Sequence, residues 1–291
     1  MAIRDWNPFA AAKRPDSPVV TSALADLARL GANRPELSDA SGSLGKILRA
    51  AFSEPIAEVA FEVDPELIIS AWRSGISAFR VGEAPPAFDP ADIKARGLSV
   101  LEAIRGDNRS AKAMITRVID GSLDLSCWAN EAVSDQAFNV DNRAQALGID
   151  AAPARSVLRL VVLPGLERLS RKLATLRAEA SWTRGDCPNC GSPPVLAESR
   201  GLEQRRHWRC GLCAADWEGE RLRCPFCDET DHRKLSFIAA EGEQDRYRVS
   251  LCESCGGRLK VVATLGPLTA PGLLVAELAT SHLDEVSAYS V

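Results

Sequence analysis

Residues 210–227, CGLCAADWEGERLRCPFC, carry two Cys-x-x-Cys pairs separated by ten residues. A third pair precedes them in CPNCGSPP (187–194) and a fourth follows in CESCGG (252–257). Eight of the nine cysteines thus fall within 69 of the 291 residues, and Cys127 stands apart. A tetrahedral metal site takes four thiolates, and a Cys-x-x-Cys turn offers two of them from one tight loop. The arithmetic gives two complete sets. Sequential pairing puts Cys187, Cys190, Cys210 and Cys213 on one ion, and Cys224, Cys227, Cys252 and Cys255 on a second. Crossed pairing of first with third and second with fourth satisfies the same count. The internal repeat favours each copy closing on itself.

That repeat is visible in the residues between the pairs. CPNC runs through PPVLAE, a polar turn and RRHWRC; CPFC runs through RKLSFIAA, a polar turn and YRVSLC. Each copy reads as knuckle, strand, hairpin, strand, knuckle. Segments this short cannot build a sufficient apolar core, so a metal clip at minimum staples each one. A closed four-thiolate site leaves no open coordination position, which argues against hydrolytic metal catalysis. Dithiol redox chemistry of the thioredoxin kind needs a strand-to-helix setting that the pattern lacks. Four thiolates suit iron and zinc alike, so spacing leaves the metal open.

Upstream the pattern is helical up to about residue 182. Asp64-Pro65 and Asp89-Pro90 each place an Asp cap before a first-turn proline. The run SVLRLVVLPGLERLSRKLATLRAEA (156–180) carries a wide apolar face, and its Pro164-Gly165 step predicts a bent or broken helix pair there. The region reads as an irregular bundle of five to eight helices. Helical character returns after the Cys-rich half in GLLVAELATSHLDEVSA (272–288). The expected class is α+β: a mainly α N-terminal domain (1–182), a rubredoxin-like or zinc-ribbon β module (183–222), and a second such module with a C-terminal helix (223–291).

Composition narrows the function. Apolar residues form 46% and charged residues 25% of a chain with net charge −4, which marks a globular protein and disfavours phosphate-backbone binding. Between residues 184 and 260, Lys plus Arg and Asp plus Glu are equal at 13 each, so the ribbons lack a nucleic-acid footprint. The N-terminal stretch has no continuous apolar run of signal h-region length and no run approaches a membrane span, so a cytoplasmic location without membrane insertion is expected. Cys127 reads as a buried apolar thiol, His207 and His232 as surface or turn residues, and His282 as a helix-face residue. No catalytic constellation is found, and the chain is expected not to be an enzyme.

The order CPNCGSPPV, WRCGLCAADWEGERLRCPFC, LCESCGGRLKVV and ELATSHLDEVSA resembles the formate dehydrogenase accessory proteins, the FdhE family. The likeness runs from about Leu158 to the end and includes Trp217, Arg221 and the LATSHLD tail. The ending SAYSV departs from the family pattern. The resemblance implies a helical region with two rubredoxin-like four-thiolate ribbons holding iron. It further implies an assembly factor that binds the catalytic subunit of a membrane-bound formate dehydrogenase before export. The alternatives are a nucleic-acid-binding ribbon protein and a rubredoxin-like redox or thiol protein.

Overall fold

The computed structural model describes residues 16–82, 84–134 and 138–284. The N-terminal stretch before Asp16, the end of the expected tail helix and the divergent SAYSV ending lie outside the described residues. Among the described residues eight α-helices precede the Cys-rich half: α1 (Pro18–Asn33), α2 (Ser38–Ala51), α3 (Pro65–Arg73), α4 (Pro90–Ala103), α5 (Arg109–Ile119), α6 (Leu125–Ala132), α7 (Phe138–Ala146) and α8 (Ala151–Ala174). Both Asp-Pro starts act as expected. The Asp64 carboxylate accepts from Glu66 N at 2.9 Å, and that of Asp89 accepts from Asp92 N at 2.7 Å, each using a first-turn donor that no helical carbonyl reaches.

Of the bend or break expected near Pro164, the structure overturns the break. α8 runs unbroken from Ala151 to Ala174. Proline in a helix interior removes one hydrogen bond and costs roughly 3 kcal/mol. Here Val161 to Leu166 are all buried, because α8 is the central helix against which α2, α4, α5, α6 and α7 pack. Burial on every side keeps the helix continuous where its local sequence would let it break.

The Cys-rich half forms one six-stranded sheet of order β3-β2-β1-β6-β5-β4, built from β1 (Pro194–Arg200), β2 (Arg205–Cys210), β3 (Asp216–Glu218), β4 (Leu235–Ile238), β5 (Tyr247–Cys252) and β6 (Arg258–Thr264). Each repeat copy has a third strand after its second knuckle, β3 or β6, beyond the two the sequence announced. Strands within a copy pair antiparallel; the copies meet where β1 pairs β6 in parallel, with Ala197 opposite Val261. Two copies set side by side in the same orientation require that parallel seam, since first and third strands of an antiparallel trio point the same way.

α9 (Ala270–Ala279) packs against α1 and covers part of the sheet, where its Leu273 meets Leu196 and Val262. Beneath it Glu198 is fully buried. Its carboxylate accepts from Arg200 at 2.9 Å, from the Thr264 hydroxyl at 3.0 Å and from Leu268 N at 3.2 Å, and also pairs with Arg209. Burial opposes its charge, yet the hydrogen bond from Arg200 and the Arg209 and Arg200 guanidiniums keep its pKa below the ordinary carboxylate value. One carboxylate thus ties the first copy to the end of the second and to the approach to α9. A continuous apolar core runs from Val20 and Leu27 through α8 to Trp208, Trp217 and Val261. No described helix is long and apolar enough to cross a membrane. The architecture is α+β.

Candidate metal centres

The four knuckles share one backbone. In each, the N–H of the first Cys donates to the carbonyl five residues on: Cys187 to Ser192 (2.8 Å), Cys210 to Ala215 (2.9 Å), Cys224 to Glu229 (2.9 Å) and Cys252 to Gly257 (3.0 Å). The residue four places on returns its N–H to the carbonyl of that Cys, and it lies in the left-handed region in every case: Gly191 at φ 77°, Ala214 at 55°, Asp228 at 61° and Gly256 at 69°. Glycine takes this conformation freely, whereas Ala and Asp pay roughly 1–2 kcal/mol, so the second and third knuckles hold strained positions.

Sequential grouping is what the fold produces. Cys187, Cys190, Cys210 and Cys213 converge, as do Cys224, Cys227, Cys252 and Cys255, with the four Sγ atoms of each group within 4.8 Å of one another. Closest approaches are 3.5 Å for Cys187–Cys213, 3.4 Å for Cys190–Cys210, and 3.7 Å for both Cys224–Cys255 and Cys227–Cys252. None is a disulfide. Thiolates about 2.3 Å from a tetrahedral ion lie roughly 3.8 Å apart, so both groups approach the edge length such an ion sets. Backbone N–H groups also face sulfur: Leu212 N lies 3.4 Å from Cys210 Sγ and Gly257 N 3.3 Å from Cys255 Sγ. Burial pushes the Cys187 thiol well up and the Cys224 thiol to about 12. Four thiolates in so small a volume repel, and a cation reverses that balance. Both groups are therefore able to hold a metal ion; the geometry fits zinc and iron equally.

Their surroundings differ. In the first group Cys187, Cys210 and Cys213 are fully buried and Cys190 partly so. The helical half grips its knuckles. Pro188 O accepts from the Trp72 indole at 2.6 Å and from Ala78 N at 2.8 Å; Asn189 O accepts from Phe79 N at 2.8 Å. The buried Asn189 amide donates to Ser170 on α8 at 3.0 Å, and Arg159, also on α8, donates to Gly211 O at 2.6 Å while pairing with Glu277 of α9. In the second group Cys227 and Cys255 are exposed. Its two knuckles are joined by Glu229, which accepts from the Ser254 hydroxyl at 2.5 Å, from Asp231 N at 3.0 Å and from Lys234 at 3.2 Å. The third knuckle lies against Gly185, where a Cβ would sit 1.9 Å from Pro225 O; only glycine permits that approach.

The remaining candidates fall as follows. Cys127 is on α6 and only partly buried, its Sγ 3.9 Å from Glu131, while the buried apolar residues of α6 are Leu125, Trp128 and Ala129. His207 is a β2 residue rather than a surface turn. Burial and Arg200 lower its pKa. His232 is in an exposed turn. His282 follows α9 and meets Glu243 at 2.7 Å and Arg34 at 2.8 Å, joining the second copy's hairpin to the end of α1. Neither this cluster nor Glu198 has a local sequence signature, since each draws on segments far apart in the chain.

No protein-family model matches the chain. It is 37% identical over 120 residues to a protein FdhE homolog of Stutzerimonas stutzeri, matching 40% of this chain and 37% of that one. It is 36% identical over 91 residues to a homolog from Edwardsiella ictaluri and 34% identical over 91 residues to Escherichia coli protein FdhE, each match covering 30% of this chain and 28% of the relative. The aligned part thus spans about a third of the length of these relatives. The crystal structure of FdhE from Pseudomonas aeruginosa superposes with a TM-score of 0.60 at 23% identity, covering 95% of this chain and 92% of that one, and so shares the fold.

Proposed function

We propose that this chain, which belongs to the FdhE family, is a non-enzymatic accessory factor that binds the catalytic subunit of a membrane-bound formate dehydrogenase in the cytoplasm before export. The observation that carries the reading is the pairing of two complete four-cysteine groups with a helical half that grips one of them, on a fold shared end to end with an FdhE protein. All eight clustered cysteines serve as ligands for two ions, rubredoxin-type iron or zinc, and Cys127 does not. A helical platform (1–182) carries two ribbons (183–222 and 223–291), the second ending in the tail helix. Metal-fixed hairpins suit such a partner, because rigid loops lose little freedom on docking.

The test has two readouts. Metal analysis of freshly purified protein should give two ions per chain, with strong visible absorption if the metal is ferric iron. Deleting the gene should abolish formate-linked respiration while the client's transcript persists, and tagged protein should co-purify with the catalytic subunit. Full formate dehydrogenase activity in the deletion strain, or capture of nucleic acid in place of that subunit, overturns the reading.

A further inference from the structure

The sheet face between the two ribbons carries a trough beside the second four-cysteine group, with Cys224 and Cys252 forming part of its lining. By strand register, Arg206 and Trp208 of β2, Ala197 of β1, Val261 of β6, and Arg248 and Ser250 of β5 share one face. Ala197 and Val261, on the strands between them, are small and buried. A cavity of about 170 Å³ takes in Arg206 and Arg248 of this face and is also lined by Arg221, Leu222, Phe226 and Phe237.

Its lining holds no carboxylate, and its only acidic groups are the Cys224 and Cys252 thiols. Arg206 is only 9% exposed, yet among the described residues its Nε has no hydrogen-bond partner and its Nη1 reaches only the Ser250 hydroxyl at 3.5 Å. The charges acting on it are Arg248 and Arg221, of the same sign; burial and these two guanidiniums lower its pKa to about 10. The remaining arginine of the lining, Arg223, is already paired with Asp228 at 2.9 Å. Among the described residues neither Arg206, Arg221 nor Arg248 has a carboxylate partner. A buried guanidinium without a counter-ion is costly, and an incoming anion removes that cost. Around the arginines the surface is apolar: Phe237 and Leu222 are each 60% exposed and Phe226 40%, with the Arg248 guanidinium 5.7 Å from the Phe237 ring centroid. Aromatic residues and arginine converging on a partly desolvated pocket form the composition of a protein-docking hot spot.

We propose that this trough docks an acidic, apolar segment of a protein partner, its carboxylate received by Arg206, Arg221 and Arg248 and its apolar side chain lying against Phe237 and Leu222. The inference rests on the assembly reading in one respect, that the partner is a protein. A protein segment fits better than nucleic acid because the three free arginines are confined to one pocket in a ribbon half of balanced charge, whereas a phosphate chain needs an extended basic track.

The test titrates the full-length, metal-loaded protein with a fluorescent, amide-capped peptide of alternating aspartate and phenylalanine. Saturable, salt-sensitive binding is expected, weakened about tenfold by Arg221→Gln or Arg248→Gln and lost in the double variant, since a charged hydrogen bond contributes about that much. The corresponding asparagine peptide should not bind. Metal content and circular dichroism matching wild type establish that the variants are folded. Unchanged affinity in the double variant, equal binding of the asparagine peptide, or displacement of the acidic peptide by inorganic phosphate or a single-stranded oligonucleotide that binds more tightly overturns the inference. Co-purification separates the two readings. If the double variant captures the catalytic subunit as wild type does, the docking inference falls and the assembly reading stands. If wild type captures none, the assembly reading falls and the peptide titration alone decides the trough.

Discussion

The two four-cysteine groups have the same knuckles and opposite environments. The first is sunk between ribbon and helices, with Trp72, Ala78, Phe79, Ser170 and Arg159 all bonded to its loops. The second belongs to the other half of the sheet, its third knuckle against Gly185, two of its four thiols facing solvent and its knuckles held to each other by Glu229. The second copy is still anchored, but through its hairpin: Glu243 binds Arg34 and His282, away from the cysteines. Identical local chemistry therefore has different reach. An ion in the first group orders backbone that the helical core also depends on, whereas an ion in the second orders little beyond its own two loops.

Cysteine substitutions should break this comparison most sharply. Cys210→Ser should lower the melting temperature of the whole chain by about 10 °C or more, since several kcal/mol lost in a domain of this size shifts it that far. Cys255→Ser should leave the main transition nearly in place and remove a single ion, as read by calorimetry with metal analysis. Equal shifts from the two variants would show that the groups are energetically equivalent, whatever their burial. A middle-sized effect belongs to the grip itself. Trp72→Phe removes the indole donor to Pro188 O and should cost about 1–3 kcal/mol in denaturant unfolding, because a buried hydrogen bond is lost in a packed site. If the variant instead unfolds at the wild-type denaturant midpoint, the helical half does not secure the first knuckle.

The smallest effect concerns acid. Glu229 is held near pKa 2, chiefly by the Ser254 hydroxyl and then by Asp231 N and Lys234. A carboxylate depressed below its unfolded value of roughly 4.3 stabilises the fold above that value, and the contribution is lost as pH falls toward about 2. Wild type should therefore lose proteolytic protection of residues 224–257 faster than Glu229→Gln as pH falls through that window, and the first group's loops should show no such difference. Parallel acid curves for the two proteins would remove Glu229 as the clasp between these knuckles.

The cysteine spacing made the two groups legible, because ligand pairs are local and their count closes on two complete sets of four. The Asp-Pro helix starts and the change of character near Ser181 were legible for the same reason. Pro164 misled because its local signal is strong, while the packing that overrides it comes from five other helices. The third strand of each copy was missed since β3 has only three residues and β6 follows directly on a knuckle. Burial of one group and exposure of the other could not be read at all: CPNC and CPFC differ by one residue, and what separates them is Trp72, Ser170 and Arg159, brought in from distant parts of the chain.

The parallel seam between β1 and β6 carries a risk of its own. Side-by-side copies in one orientation leave a third-type strand, β3, open at one sheet edge and a first-type strand, β4, open at the other. These are the same kinds of strand that pair at the seam, so nothing in the symmetry stops a further chain from joining β3 to β4 and continuing without closure, the head-to-tail arrangement that grows fibres. The two edge strands are also the shortest in the sheet, at three and four residues against six or seven for the inner ones. Short edges offer few backbone groups to a neighbour. Lengthening β3 by substitution in the loop after Glu218 would therefore be a route from a well-behaved protein to an aggregating one, with no change at either cysteine group.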